Sequence, residues 1–126
     1  MREGDIRGRR LAIVSHALMN AHLSDDASSV AALAALEELG YGLMALPPET
    51  ASAAVRTDAL QHLVDQLQDY LRHGYAAIVV ADAHMTNWIE PLDAALRAYG
   101  VAPPRRIPVG QDFRAALGAV SAAGPA

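Results

Sequence analysis

The sequence contains no cysteine. Its absence excludes disulfides, thiolate nucleophiles and any zinc or iron–sulfur centre held by cysteine. Long apolar runs are missing too: 52% of the 126 residues are hydrophobic, enough for one core, yet no run approaches the roughly 20 residues that cross a bilayer. The charged opening, residues 1–10, leads into only a short strand-like run, so no secretory signal is read and a cytoplasmic location is expected. Positive charge is sparse. Net charge is −4, and the basic residues cluster only at Arg7, Arg9 and Arg10 and at Arg105-Arg106, so no phosphate-tracking stripe forms and no nucleic-acid partner is expected. Those clusters flank expected strands and read as solvated edges that discourage strand addition. No Gly-x-Ser-x-Gly elbow occurs, and no glycine-rich loop follows the first strand, so dinucleotide and flavin phosphates lack their usual backbone nest.

What is present centres on Tyr75 to Trp88, Tyr-Ala-Ala-Ile-Val-Val-Ala-Asp-Ala-His-Met-Thr-Asn-Trp. Ala76 to Ala81 is an unbroken apolar run of strand length with β-branched residues at its centre, as a strand buried on both faces requires. Asp82, His84, Thr86 and Asn87 follow at once. Burying such groups unpaired costs roughly 2–7 kcal/mol each, which puts them in a loop at the strand's carboxyl end. In an open α/β sheet, ligands bind at that edge.

The rest of the chain alternates strand and helix. Leu11 to Ser15 reads as a first strand, and a polar loop leads to Ser28-Ser29, either of which can cap a helix ending near Leu39. Val30, Leu33, Ala34 and Leu36 form its expected buried stripe, and Gly40 fits the left-handed position that ends it. Tyr41 to Leu46 reads as a strand stopped by Pro47-Pro48. Thr57 opens a helix with Leu60, Leu63, Val64, Leu67, Tyr70 and Leu71 at helical spacing, terminated by Gly74. After the Tyr75–Trp88 stretch, Pro91 suits the first turn of a helix that buries Leu92, Ala95, Leu96 and Tyr99 and closes at Gly100. A poorer strand, Arg106 to Val109, carries Pro108 and belongs at a sheet edge. Asp112 caps a short last helix, and the ends, 1–9 and 118–126, read as frayed.

Four such units predict a single α/β domain: a small open parallel sheet of about four strands with helices on both faces, flavodoxin- or Rossmann-like. The exposed edge of so small a sheet invites pairing, so a homodimer is expected.

Three segments resemble the motifs of the 2-thiouracil desulfidase family. Ser-His-Ala-Leu-Met-Asn at Ser15 to Asn20 is similar to its His-Cys-Leu-Leu-Asn, Leu-Pro-Pro-Glu at Leu46 to Glu49 to its Pro-Cys-Pro-Glu, and Val79 to Asn87 occupies the place of its Asp-Gly-Ser-Pro-Ser-Cys. In that family three cysteines hold an iron–sulfur cluster; the corresponding positions here are Ala17, Pro47 and Asn87. The resemblance therefore implies a retained α/β scaffold with His16, Asn20, Glu49 and Asp82, and lost desulfidase chemistry. Asp82-Ala83-His84 also resembles an Asp-Ala-His segment of arginase-like metallohydrolases, without the rest of their ligand motifs.

Strand ends brought to one edge gather Ser15, His16, Asn20, His22, Pro47-Pro48, Glu49, Asp82, His84, Thr86, Asn87 and Gly110-Gln111-Asp112. The expected function is a cluster-free enzyme acting on a small polar or heterocyclic metabolite, in a biosynthetic pathway. His16 or His84 moves the proton, and Asp82 or Glu49 orients it. Ser15, Asn20, Thr86, Asn87, Trp88 and Asp112 are the expected substrate-binding residues, and no cofactor is expected. Two structural alternatives stay open: His16 bonding its own loop, and Asp82 accepting from the amides that follow it. Two functional ones do as well. His16, His22 and His84 with Asp82, Glu49 or Asp112 can hold a divalent metal, and the scaffold can bind a metabolite or partner without turnover.

Overall fold

A strand with apolar residues at every position must be covered on both sides. In the computed structural model, which describes residues 10–23, 26–48, 50–110 and 112–123, the strands satisfy that demand in one sheet. Strands β1 (Arg10–Val14), β2 (Gly42–Ala45), β3 (Ala76–Ala81) and β4 (Arg105–Pro108) are all parallel, in the order β2-β1-β3-β4. β1 and β3 pair at the centre, with Leu11 opposite Ala77 and Ile13 opposite Val79. β4 is an edge strand, as Pro108 requires.

Alternation along the strands divides the core in two. Leu11, Ile13, Met44 and Val79 face α3 (Ala53–Arg72) and α4 (Thr86–Ala98), meeting Leu63, Val64, Leu67, Trp88, Leu92 and Leu96. Ala12, Val14, Ile78, Val80 and Ile107 face the other way, onto Ala32, Ala35 and Leu36 of α2 (Ala27–Glu38) and Phe113 and Leu117 of α5 (Phe113–Ala123). Leu36, Leu67, Leu96 and Leu117 are fully buried, each stabilising the fold by about 2 kcal/mol. The helices thus lie on both faces, and a small α/β fold is what forms.

Local chemistry moves several helix boundaries. Asp26, not Ser28 or Ser29, caps α2, its carboxylate accepting from the Ser28 amide at 3.1 Å. One consequence is that Ser29 is buried and Val30 stands 42% exposed. Ser52 caps α3 and starts it four residues before Thr57. α4 begins at Thr86, so Pro91 falls beyond the first turn and has no N–H to give the Asn87 carbonyl. Tyr99 is the exposed C-cap of α4 rather than a buried residue. α5 continues to Ala123, past Gly118, where a tail was expected; residues 1–9 and 124–126 lie outside the described residues.

From the central strand β1 the chain moves outward to β2 through α2 on one face. It then crosses back over the opposite face, through α3, to β3 on the other side of β1. The loops after β1 and β3 consequently diverge. Between them, at the carboxyl edge, a parallel sheet leaves its ligand crevice.

Candidate functional site

Ser15 follows β1 directly and has extended backbone, which frees its hydroxyl to cap the one-turn helix α1 (His16–Met19) by accepting from the Leu18 amide at 3.0 Å. The same hydroxyl donates to Asp82 Oδ2 at 2.8 Å. Asp82 follows β3 in the equivalent place, and its Oδ1 accepts from the Met85 amide at 3.0 Å, capping a short 3₁₀ turn over Ala83–Met85. Ser15 is 2% and Asp82 9% exposed. A single buried bond therefore ties the loop after β1 to the loop after β3 across the crevice. Both carboxylate oxygens of Asp82 are engaged, one by a hydroxyl and one by an amide.

Above this tie opens a cleft of about 160 Å³, lined by Ser15, His16, Ala17, Pro47, Pro48, His84 and Trp88. His16 and His84 are solvent-exposed on its walls. His16 Nε2 lies 3.4 Å from the Asn20 side-chain nitrogen, and that amide also donates to the His16 carbonyl at 2.9 Å. Asn20 thus positions His16 from outside the cleft. Pro47 and Pro48 enter because Leu46 extends the β1–β2 ladder, its amide donating to the Val14 carbonyl at 2.9 Å. Trp88 is only 4% exposed and joins the core against α3, yet presents part of its ring to the cleft.

Asp26 brings charge to this end of the molecule. The Ser29 hydroxyl and the Ser28 amide hold its carboxyl below the ordinary carboxylate value, and the nearby His84 imidazole adds a smaller electrostatic share in the same direction.

Of the residues expected at the site, Ser15, His16, His84 and Trp88 line the cleft, whereas Asp82 and Asn20 stand behind it. Thr86 and Asn87 form the exposed first turn of α4 instead of a loop, and neither lines the cleft. Asp112 is exposed just before α5, its carbonyl accepting from the Ala116 amide, and is also outside the lining. Glu49 lies outside the described residues. Among the described residues no three His, Asp or Glu side chains converge to hold a metal ion. Pro47 and Pro48, expected at this edge from their place directly after β2, line the cleft, as does Ala17, which the sequence marks only as a cysteine position of the resembled motif.

The geometry defines a class: a small parallel α/β domain with a cleft walled by two histidines, two prolines and a tryptophan at the point where strand order reverses. No family model, curated protein or solved structure matches the chain. Among the described residues, no helix is long and apolar enough to cross a membrane.

Proposed function

We propose that this protein is an enzyme acting on a small polar or heterocyclic metabolite by histidine acid–base chemistry in the cleft at the carboxyl edge. The observation that carries the reading is the pairing of His16 and His84, two exposed imidazoles on one small cleft walled by Pro47, Pro48 and Trp88. Imidazole accepts and donates protons near neutral pH. One histidine takes a proton from the bound metabolite while the other, protonated, returns one, as a lyase or isomerase requires. At about 160 Å³ the cleft is well under the roughly 300–1,000 Å³ of sites for drug-sized ligands, which suits a metabolite of one ring. The resemblance to the desulfidase scaffold is in keeping with this reading, because Ala17 and Pro47, two of its three cysteine positions, line the same cleft.

A second reading, ligand binding without turnover, is favoured by the state of Asp82. Its hydrogen bonds run to the Ser15 hydroxyl and the Met85 amide rather than to an imidazole. The test is a thermal-shift screen of small polar and heterocyclic metabolites, followed by proton NMR of each hit over time. The enzyme reading expects a ligand that raises Tm and is converted. Conversion is expected to vanish in His84→Ala and His16→Ala, both of which melt like the parent. A ligand bound but unchanged would establish the binding module, and ligands indifferent to both substitutions would remove this cleft from consideration.

A further inference from the structure

At the amino ends of the strands, on the face covered by α2 and α5, lies a second cleft of about 80 Å³. Its lining includes Arg10, Tyr41, Ala76, Ile78, Arg105 and Val120. Strand alternation puts both arginine side chains on that face. Arg10 is in register with Ala76 and Arg105 with Ile78, and they share parity with Ala12 and Ile107, which face α2 and α5. Arg106, one residue further on, projects to the opposite face and bonds Asp93 of α4 at 3.0 Å.

Arg105 meets no such carboxylate. It makes no hydrogen bond or ion pair among the described residues. α5 contributes no acidic residue, and Glu38 of α2 is held by both terminal nitrogens of Arg114 at 3.0 Å. Arg10 is tethered at the other rim, reaching the Leu39 carbonyl at 3.4 Å. Between the two cations the surface is apolar: Ala76 leaves room, Ile78 and the Tyr41 ring are buried, and Val120 closes one side. A solvated arginine needs no partner, but two arginines flanking an apolar hollow in a chain of net charge −4 and no lysine form a specific chemical surface.

We infer that this cleft binds a small monoanionic organic acid. The planar fork of Arg105 takes the carboxylate through two parallel N–H···O bonds, Arg10 adds positive potential, and the short hydrocarbon part lies on Ala76, Ile78 and Val120. Inorganic phosphate gains nothing from the apolar floor, and a neutral amide gains little from the guanidinium pair. The site is separate from the histidine cleft and stands whether or not that cleft is catalytic.

The experiment is amide NMR of the full chain titrated with butyrate, butyramide and inorganic phosphate. Saturable butyrate shifts are expected at Ala76, Ile78 and Val120, with binding at least tenfold weaker for butyramide and for phosphate. Arg105→Gln is expected to weaken butyrate at least tenfold, and Arg106→Gln to leave it unchanged. Ala76→Val, which keeps both charges and fills the hollow, is expected to weaken it too. Butyrate that does not saturate, binds no better than butyramide or phosphate, ignores Arg105→Gln and Ala76→Val, or shifts only the resonances around His16 and His84 overturns the inference.

Discussion

Removing the Asp82 carboxylate is expected to cost stability by releasing the bond between the loops after β1 and β3. In Asp82→Ala the Met85 amide keeps the backbone carbonyl of residue 82 as an acceptor, at 3.1 Å. The Ser15 hydroxyl, 2% exposed, loses the acceptor it has across the crevice among the described residues. A hydrogen bond to a charged group contributes about 1.5–3 kcal/mol and a lost cap about 1 kcal/mol more, giving an expected loss of about 2.5–4 kcal/mol. At roughly 4 °C per kcal/mol for a domain of this size, Tm falls by about 10–16 °C. Ser15→Ala alone strips Asp82 Oδ2 of its donor and Leu18 of its cap, at about 1–3 kcal/mol. Because the two residues share one bond, the double variant loses less than the sum, with a coupling of about 1–2 kcal/mol. Urea unfolding followed by Trp88 fluorescence reads the whole cycle, since Trp88 is the only tryptophan and is 4% exposed. Additivity within about 0.5 kcal/mol, or an Asp82→Ala variant as stable as its parent, would refute the tie across the crevice.

Acid titration tests the cap of α2. Asp26 is held below its ordinary value of 3.8 by Ser29 and Ser28, so its stabilisation is complete above that value and is lost as pH falls through the lowered one. The urea midpoint of Asp26→Ala is therefore expected to fall less steeply below pH 3.8 than that of the parent. Gly100 has φ +72° with open space where a Cβ would sit. Gly100→Ala is expected to cost about 1 kcal/mol from backbone strain alone, read from the same urea curves, and a neutral result would contradict that conformation. Leu67→Ala, which empties a fully buried position between α3 and the sheet, is expected to cost about 2–5 kcal/mol. If the β2 edge pairs two copies, sedimentation at micromolar concentration gives a dimer that Leu43→Lys dissociates; a monomeric parent removes that expectation.

Much of the layering was legible because buried strands leave a coarse signature. Ala76 to Ala81 has no polar residue, and only a strand covered on both faces tolerates that. Helix starts were less legible, because several residues competed for each cap. Ser28, Ser29 and Asp26 can all accept an amide, and Asp26, the first of the three along the chain, takes the role. The loop after β3 was misread for the same reason. Its polar residues suggested a loop, but Asp82 caps a 3₁₀ turn that runs straight into α4 and carries Thr86 and Asn87 onto a solvent-facing helix turn. His16 and His84 were legible as edge residues from their place after apolar runs. That Asp82 turns toward Ser15 rather than an imidazole depends on side-chain directions, which strand spacing does not encode.

The bond between Ser15 and Asp82 separates two jobs that a small protein often assigns to the same atoms. The bond that holds the two loops together sits at the base of the cleft, where Ser15 also lines it, and His16, Ala17, Pro47, Pro48 and His84 form the walls above. None of these wall residues takes part in the Ser15–Asp82 bond, so each can be substituted with the joint intact. Retailoring this cleft in the laboratory should accordingly begin at Ala17, Pro47 and His84, with the joint left in place.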